Sequence, residues 1–276
     1  MESATLRRPP ALSRAIAPGL ILALLVLAAM GWVVTDERMR GMDAGPGTDP
    51  GALGFYVTAW VVMMAAMMFP SIWPMVLMYV RIQAGKRERG REAAAGATAC
   101  FVAGYLLTWT AWGLLAYAVL EAGRAIAPEA LAWDAGGPYL AGGVIVAAAV
   151  YQLTPLKDAC LSKCRNPFAF LIIAWSPGRL GALRMGTEHG AWCVGCCWAL
   201  MAALFALGVM SLGWMIFIAA LIATEKLLPL KAIANRGIAT LLAVLGLAVA
   251  FVPEQVPGLT LPDTGSSMTT MEMDTR

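Results

Sequence analysis

The chain has 276 residues, 60% of them hydrophobic and 13% charged, with a net charge of +3 and a single histidine; its mean hydropathy is +0.71. Water-soluble domains carry about 25% charged residues, so this composition excludes a soluble enzyme, a disordered chain and a nucleic-acid binder. What remains is a polytopic membrane protein. The expected fold class is an all-α transmembrane helical bundle, because backbone groups in hydrocarbon must be satisfied within each span.

Seven stretches approach the roughly 20 apolar residues a bilayer crossing needs: 15–34, 53–80, 96–120, 137–154, 190–210, 213–229 and 237–252. The first follows Arg7, Arg8 and Arg14 and ends at Gly31-Trp32-Val33-Val34 without a small-x-small cleavage site. It therefore reads as a retained helix and not as a signal peptide. The expected organisation is a basic N-terminal segment, 1–14, a transmembrane domain, 15–252, and a polar, flexible tail, 253–276. Residues 157–188 read as the longest connection, with Phe168 to Trp175 a short apolar segment lying in the interface or re-entering part-way. Trp60, Trp73, Trp109, Trp112 and Trp192 include interfacial belt residues by position.

Basic residues set the direction. The N-terminal segment and the connections after the second, fourth and sixth spans hold 16 of the 20 Lys and Arg residues. The opposite side holds Arg38, Arg40, Arg124 and Arg276, together with Asp36, Glu37, Asp43, Asp49, Glu121, Glu129 and Asp134. By the positive-inside rule this predicts seven spans, a cytoplasmic N-terminus and an outside C-terminus. The natural setting is a bacterial inner membrane.

Five of the six cysteines, Cys160, Cys164, Cys193, Cys196 and Cys197, gather around the connection between the fourth and fifth spans, and Cys100 stands apart. That connection lies on the predicted cytoplasmic side, where thiols stay reduced, so metal binding or redox chemistry gains weight over a structural disulfide. His189, Cys193, Cys197 and Met201 are spaced by four and form one helical stripe, with Cys196 near it. Cys160 and Cys164 are again four apart, at the end of the fourth span, and antiparallel neighbours bring the two groups to one depth. Thiolate and imidazole together suit Cu(I) or zinc. The competing account is packing, since cysteine is also a small apolar residue.

The second span adds thioethers. At about 100° per residue, Met64, Met67, Met68, Ser71, Met75 and Met78 share an arc of roughly 100°, a candidate metal path that Met201 extends from the cysteine stripe. Pro70 and Pro74 remove two backbone donors there and are expected to kink the helix. Thioether sulfur selects Cu(I) over harder ions, although methionine equally fills irregular gaps. Met268, Met271 and Met273 form a third group in the tail. Glu225 and Lys226 lie near the cytoplasmic end of the sixth span. Snorkelling accounts for Lys226; Glu225 is expected to pair with a basic residue such as Arg184, or to orient His189 from outside the ligand set.

The run Trp60 to Pro74, the segment Tyr151-Gln152-Leu153-Thr154-Pro155-Leu156-Lys157, Cys160-x-x-x-Cys164-Arg165-x-Pro167, Arg184-Met185-Gly186 and His189-Gly190-x-x-Cys193-x-x-Cys196-Cys197-Trp198 carry a resemblance. Over about residues 50–230 the chain resembles a family of predicted metal-binding integral membrane proteins, one branch of which is linked to copper supply to polyphenol oxidases. The resemblance implies metal binding and copper delivery, with a copper carrier or a copper-dependent oxidase as partner and the lipid bilayer as surroundings. No catalytic role is expected, and neither a nucleotide-binding domain nor a phosphorylated-Asp loop is visible. Import, chaperoning and oxidase maturation stay open. So do two other classes: a membrane thiol–disulfide oxidoreductase using Cys193 and Cys196, and a structural or partner-binding subunit.

Overall fold

The structure is a computed structural model that describes residues 11–39, 51–88, 94–126, 136–209, 211–228, 231–257 and 259. Among these residues it is all-helical. In chain order the helices are α1 (Ala11–Met39), α2 (Leu53–Glu88), α3 (Ala97–Ile126), α4 (Gly137–Tyr151), α5 (Pro155–Arg165), α6 (Pro167–Ile173), α7 (Gly178–Leu207), α8 (Leu212–Leu227) and α9 (Lys231–Phe251), followed by a 3-10 turn at Pro253–Gln255. The tail methionines Met268, Met271 and Met273 lie outside the described residues.

All seven apolar stretches are helical, but they are not equivalent. Helices α1, α2, α3, α7 and α9 are each long and apolar enough to cross a membrane. The fourth stretch stops at Tyr151 and continues as α5 only after a bend of 68°, so α4 and α5 together make a sixth crossing if they form one broken span. Pro155 causes the break: it occupies the first turn of α5, where a missing N–H costs nothing, while Thr154 caps that turn by accepting from the Lys157 amide at 3.2 Å. Helix α8 has 16 residues, fewer than the roughly 20 a straight crossing takes. Conversely, α2 runs unbroken through Pro70 and Pro74 for 36 residues.

The expected connection over 157–188 is largely structured. Its polar beginning falls in α5, its apolar segment forms α6, and α7 begins at Gly178, well before the apolar run that marks a span in the sequence. Gly178 takes φ +79 at that start and Gly208 φ +110 at the end, left-handed conformations that favour glycine.

Helix α7 is the hub, packing against α3, α4, α5 and α8, while α2 bridges α1, α3 and α8. Gly186 and Gly190 form a Gly-x-x-x-Gly face against α3, where a Cβ on Gly186 would run into the backbone carbonyl of Phe101 and one on Gly104 into that of Leu183. Small residues of this kind let helix backbones meet where no hydrophobic force drives them together. The α4–α9 pair uses Gly142 and Gly246 in the same way. Two tryptophans read as belt candidates are instead internal: Trp60 and Trp109 are buried, and Trp60 Nε1 donates to the Trp109 carbonyl at 2.8 Å. Large apolar side chains such as Leu22, Val119, Val150 and Val244 face outward, as suits helices bathed in lipid.

Candidate metal centre

The tight α3–α7 contact fixes the rotation of α7, and with it the cysteine stripe. His189, Cys193, Cys196, Cys197 and Met201 are all buried, the three cysteines and Met201 completely. The Sγ atoms of Cys193, Cys196 and Cys197 lie within 4.8 Å of one another, with Cys196 and Cys197 at 3.2 Å. Two metal–sulfur bonds of about 2.3 Å span about 4.6 Å, close to the 4.8 Å bound on this group, so the three sulfurs could hold a single ion with little movement. The Cys196 thiol also reaches the Cys193 carbonyl at 3.2 Å.

Two further predicted ligands approach from α5. Cys164 Sγ stands 3.7 Å from Cys196 Sγ and belongs to a half-buried residue, so it forms the outer edge of the cluster. Cys160 is buried against the backbone of α7: a Cβ on Gly195 would come within 2.8 Å of its Sγ. Its place is beside the helix turn and outside the three-sulfur group. Cys100 on α3 is half-buried and likewise outside it.

His189 occupies a different compartment. Its ring lies among Phe101, Tyr105 and Phe170 at centroid distances of 6.1, 5.8 and 5.3 Å, and its Nδ1 is buried without a hydrogen-bond partner among the described residues. Tyr105 links the two compartments, since its hydroxyl lies 3.0 Å from Cys193 Sγ. The α2 thioethers Met64, Met67, Met68 and Met75 are buried in the same continuous core as the cysteines, and Met78 packs half-buried against it. This agrees with the arc read from the sequence and equally with plain packing.

Glu225 and Lys226 depart most from expectation. Glu225 Oε2 accepts from Lys157 Nζ at 2.7 Å with both side chains fully buried, and Gln152 lies beside the same carboxylate. Neither Arg184 nor His189 takes that place. Arg165 donates instead to the backbone carbonyls of Glu225, at 2.7 Å, and Leu228, locking the end of α8 onto α5. Lys226 does not snorkel. It is 8% exposed and points inward, with Nζ 3.0 Å from Cys193 Sγ and 3.4 Å from Ser71 Oγ. Tyr105 and Lys157 are the neighbours of the cluster that sequence reasoning did not pick out, and Lys226 is the one it assigned to the interface. The signal for Lys226 was its charge within an apolar stretch, which by default marks function.

A family model described as a copper chaperone, PpoB2, matches residues 57–249. That span covers most of the chain, including every helix from which the cysteine cluster and its neighbours are built, and the chain belongs to this family. No curated protein and no solved structure matches it.

Proposed function

We propose that this member of the copper chaperone family is an integral membrane protein that holds Cu(I) on Cys193, Cys196 and Cys197 and hands it to a copper-dependent oxidase. The observation that carries the reading is the buried three-sulfur cluster inside a chain of that family. Thiolate ligands suit both Cu(I) and zinc, and membership of a copper chaperone family favours Cu(I). In this reading Cys164, half-buried and 3.7 Å from Cys196, is the exchange ligand at the cluster's edge. Cys160 and His189 support the cluster from beside it, and Glu225, paired with Lys157, braces α8 against α5 further out. The α2 methionines with Met201 line the approach of the ion.

The topology that goes with this function is seven crossings in a bacterial inner membrane, N-terminus cytoplasmic, C-terminus outside. The cluster then faces the cytoplasmic side, where its thiols stay reduced. The protein acts by binding and transfer and not by catalysis. Thiol–disulfide exchange with a protein substrate is the weaker reading, because Cys193, Cys196 and Cys197 are all fully buried and such exchange needs an accessible sulfur.

Metal content of the anaerobically purified full chain tests the proposal, with wild type compared with Cys193→Ser/Cys197→Ser after loading with Cu(I) or Zn(II). The expected result is about one copper per chain in wild type and background copper in the variant. Wild type without copper above background, or a variant that retains it, overturns the reading.

A further inference from the structure

We propose that Lys226 is a built-in counter-charge that biases the cysteine pocket toward a monovalent cation, making it a specificity-determining residue for the carried metal. The inference rests on the reading that Cys193, Cys196 and Cys197 hold that metal.

Three observations meet at this residue. Its Nζ lies 3.0 Å from Cys193 Sγ, inside hydrogen-bond reach of a group that also ligates the ion. The pocket around it is closed: Lys226 is 8% exposed and the three cysteines are fully buried, so bulk water does little to screen its charge. The carboxylate next to it in sequence, Glu225, is turned away and bound by Lys157 at 2.7 Å. The hydrogen-bond partners of Lys226 among the described residues are therefore a sulfur and the Ser71 hydroxyl, not a carboxylate.

A fixed positive charge repels a dication twice as strongly as a monocation at the same point. Charge balance gives the same preference. With Lys226 present, a monovalent ion needs two negative charges from its ligands to leave the buried pocket neutral, and a divalent ion needs three. Uncompensated charge is what a buried site tolerates least, so Lys226 favours Cu(I) over Zn(II). As an N–H donor to a coordinated sulfur it also orients Cys193 from outside the ligand set.

The test is competition between Cu(I) and Zn(II), as buffered metals alone, on the full chain in detergent without oxygen. The bound ratio is read by mass spectrometry for wild type, Lys226→Met and Lys226→Arg. Lys226→Met is expected to shift the preference toward zinc by about tenfold or more, and Lys226→Arg, which keeps the charge, to retain the wild-type ratio. A merely structural lysine would weaken both metals in parallel, and an unchanged ratio in Lys226→Met overturns the inference while leaving the copper site intact. Wild type that binds neither metal overturns this inference and the function proposed above together. X-ray absorption on copper-loaded wild type needs no variant to fold: sulfur neighbours are expected around copper, and oxygen or nitrogen neighbours in their place would overturn the site on which this inference rests.

Discussion

Two lysines are buried at the same end of the helix bundle, and their surroundings differ in kind. Lys157 on α5 is met by a full carboxylate, Glu225, at 2.7 Å, while Arg165 clamps the backbone around the same point. Lys226, one residue further along α8, is met by Cys193 sulfur and a serine hydroxyl. The first pocket carries its own counter-charge and closes on itself. The second pairs its cation with a group that has another use. The contrast separates a structural ion pair from a charge available to a ligand, although sequence places Glu225 and Lys226 side by side.

The largest effect expected from breaking this contrast is at Glu225. Glu225→Leu strands Lys157 as an uncompensated buried charge, which costs about 3–5 kcal/mol. Most of the folded protein should be lost, read as a fall in the thermal unfolding midpoint in detergent. A variant as stable as wild type would mean that the first pocket is no more self-contained than the second.

Next in size is the framework under the second pocket. Gly186→Ala places a methyl against the Phe101 backbone, and overpacking of this sort costs about 1–3 kcal/mol. Because α3 carries Tyr105 and α7 carries the cysteines, the α3–α7 shift should weaken copper retention while the Lys157–Glu225 pair, on α5 and α8, persists. Equal copper retention in Gly186→Ala and wild type would detach the site from this helix contact.

A smaller effect is expected at Tyr105. Its hydroxyl touches Cys193 sulfur at 3.0 Å, and a hydrogen bond of this type contributes about 1 kcal/mol. Tyr105→Phe should therefore weaken Cu(I) retention about fivefold with little change in the unfolding midpoint. The opposite pattern, lost stability with unchanged copper affinity, would assign Tyr105 to packing.

The parts of this arrangement that sequence reveals are those written in local spacing. The four-residue register of His189, Cys193, Cys197 and Met201 predicts a buried stripe, and α7 buries all four. Apolar runs locate the helices, but where they end depends on polar residues. The segment from Gly178 to Glu188 reads as a connection because of its arginines and glycines, yet it is helical from Gly178, and Gly186 within it makes the close contact with α3. His189 shares the stripe but not the cluster: one turn of helix places its ring in an aromatic compartment with Phe101, Tyr105 and Phe170. Cys160 and Cys164 lie one turn apart on α5, and only the packing of that helix against α7 shows that Cys164 is the one 3.7 Å from Cys196. The direction of Lys226 is the least legible feature. Snorkelling and inward pairing begin from the same residue at the same depth, and the choice is made by a sulfur on another helix.

The smallest effect expected is also the most discriminating. Replacing both members of the first pocket, Lys157→Met with Glu225→Leu, removes two charges at once and leaves none unpaired. Buried ion pairs exchanged for apolar residues of similar volume are often neutral or stabilising, so the double variant should recover most of the stability that Glu225→Leu loses. If the first pocket is structural and self-contained, copper stoichiometry and the Cu(I)-to-Zn(II) preference should match wild type, because Lys226 still faces Cys193. If metal preference shifts along with the pair, the two lysines share one electrostatic site. Glu225 would then act on the metal through both neighbours, and the contrast between the pockets would collapse into a single network.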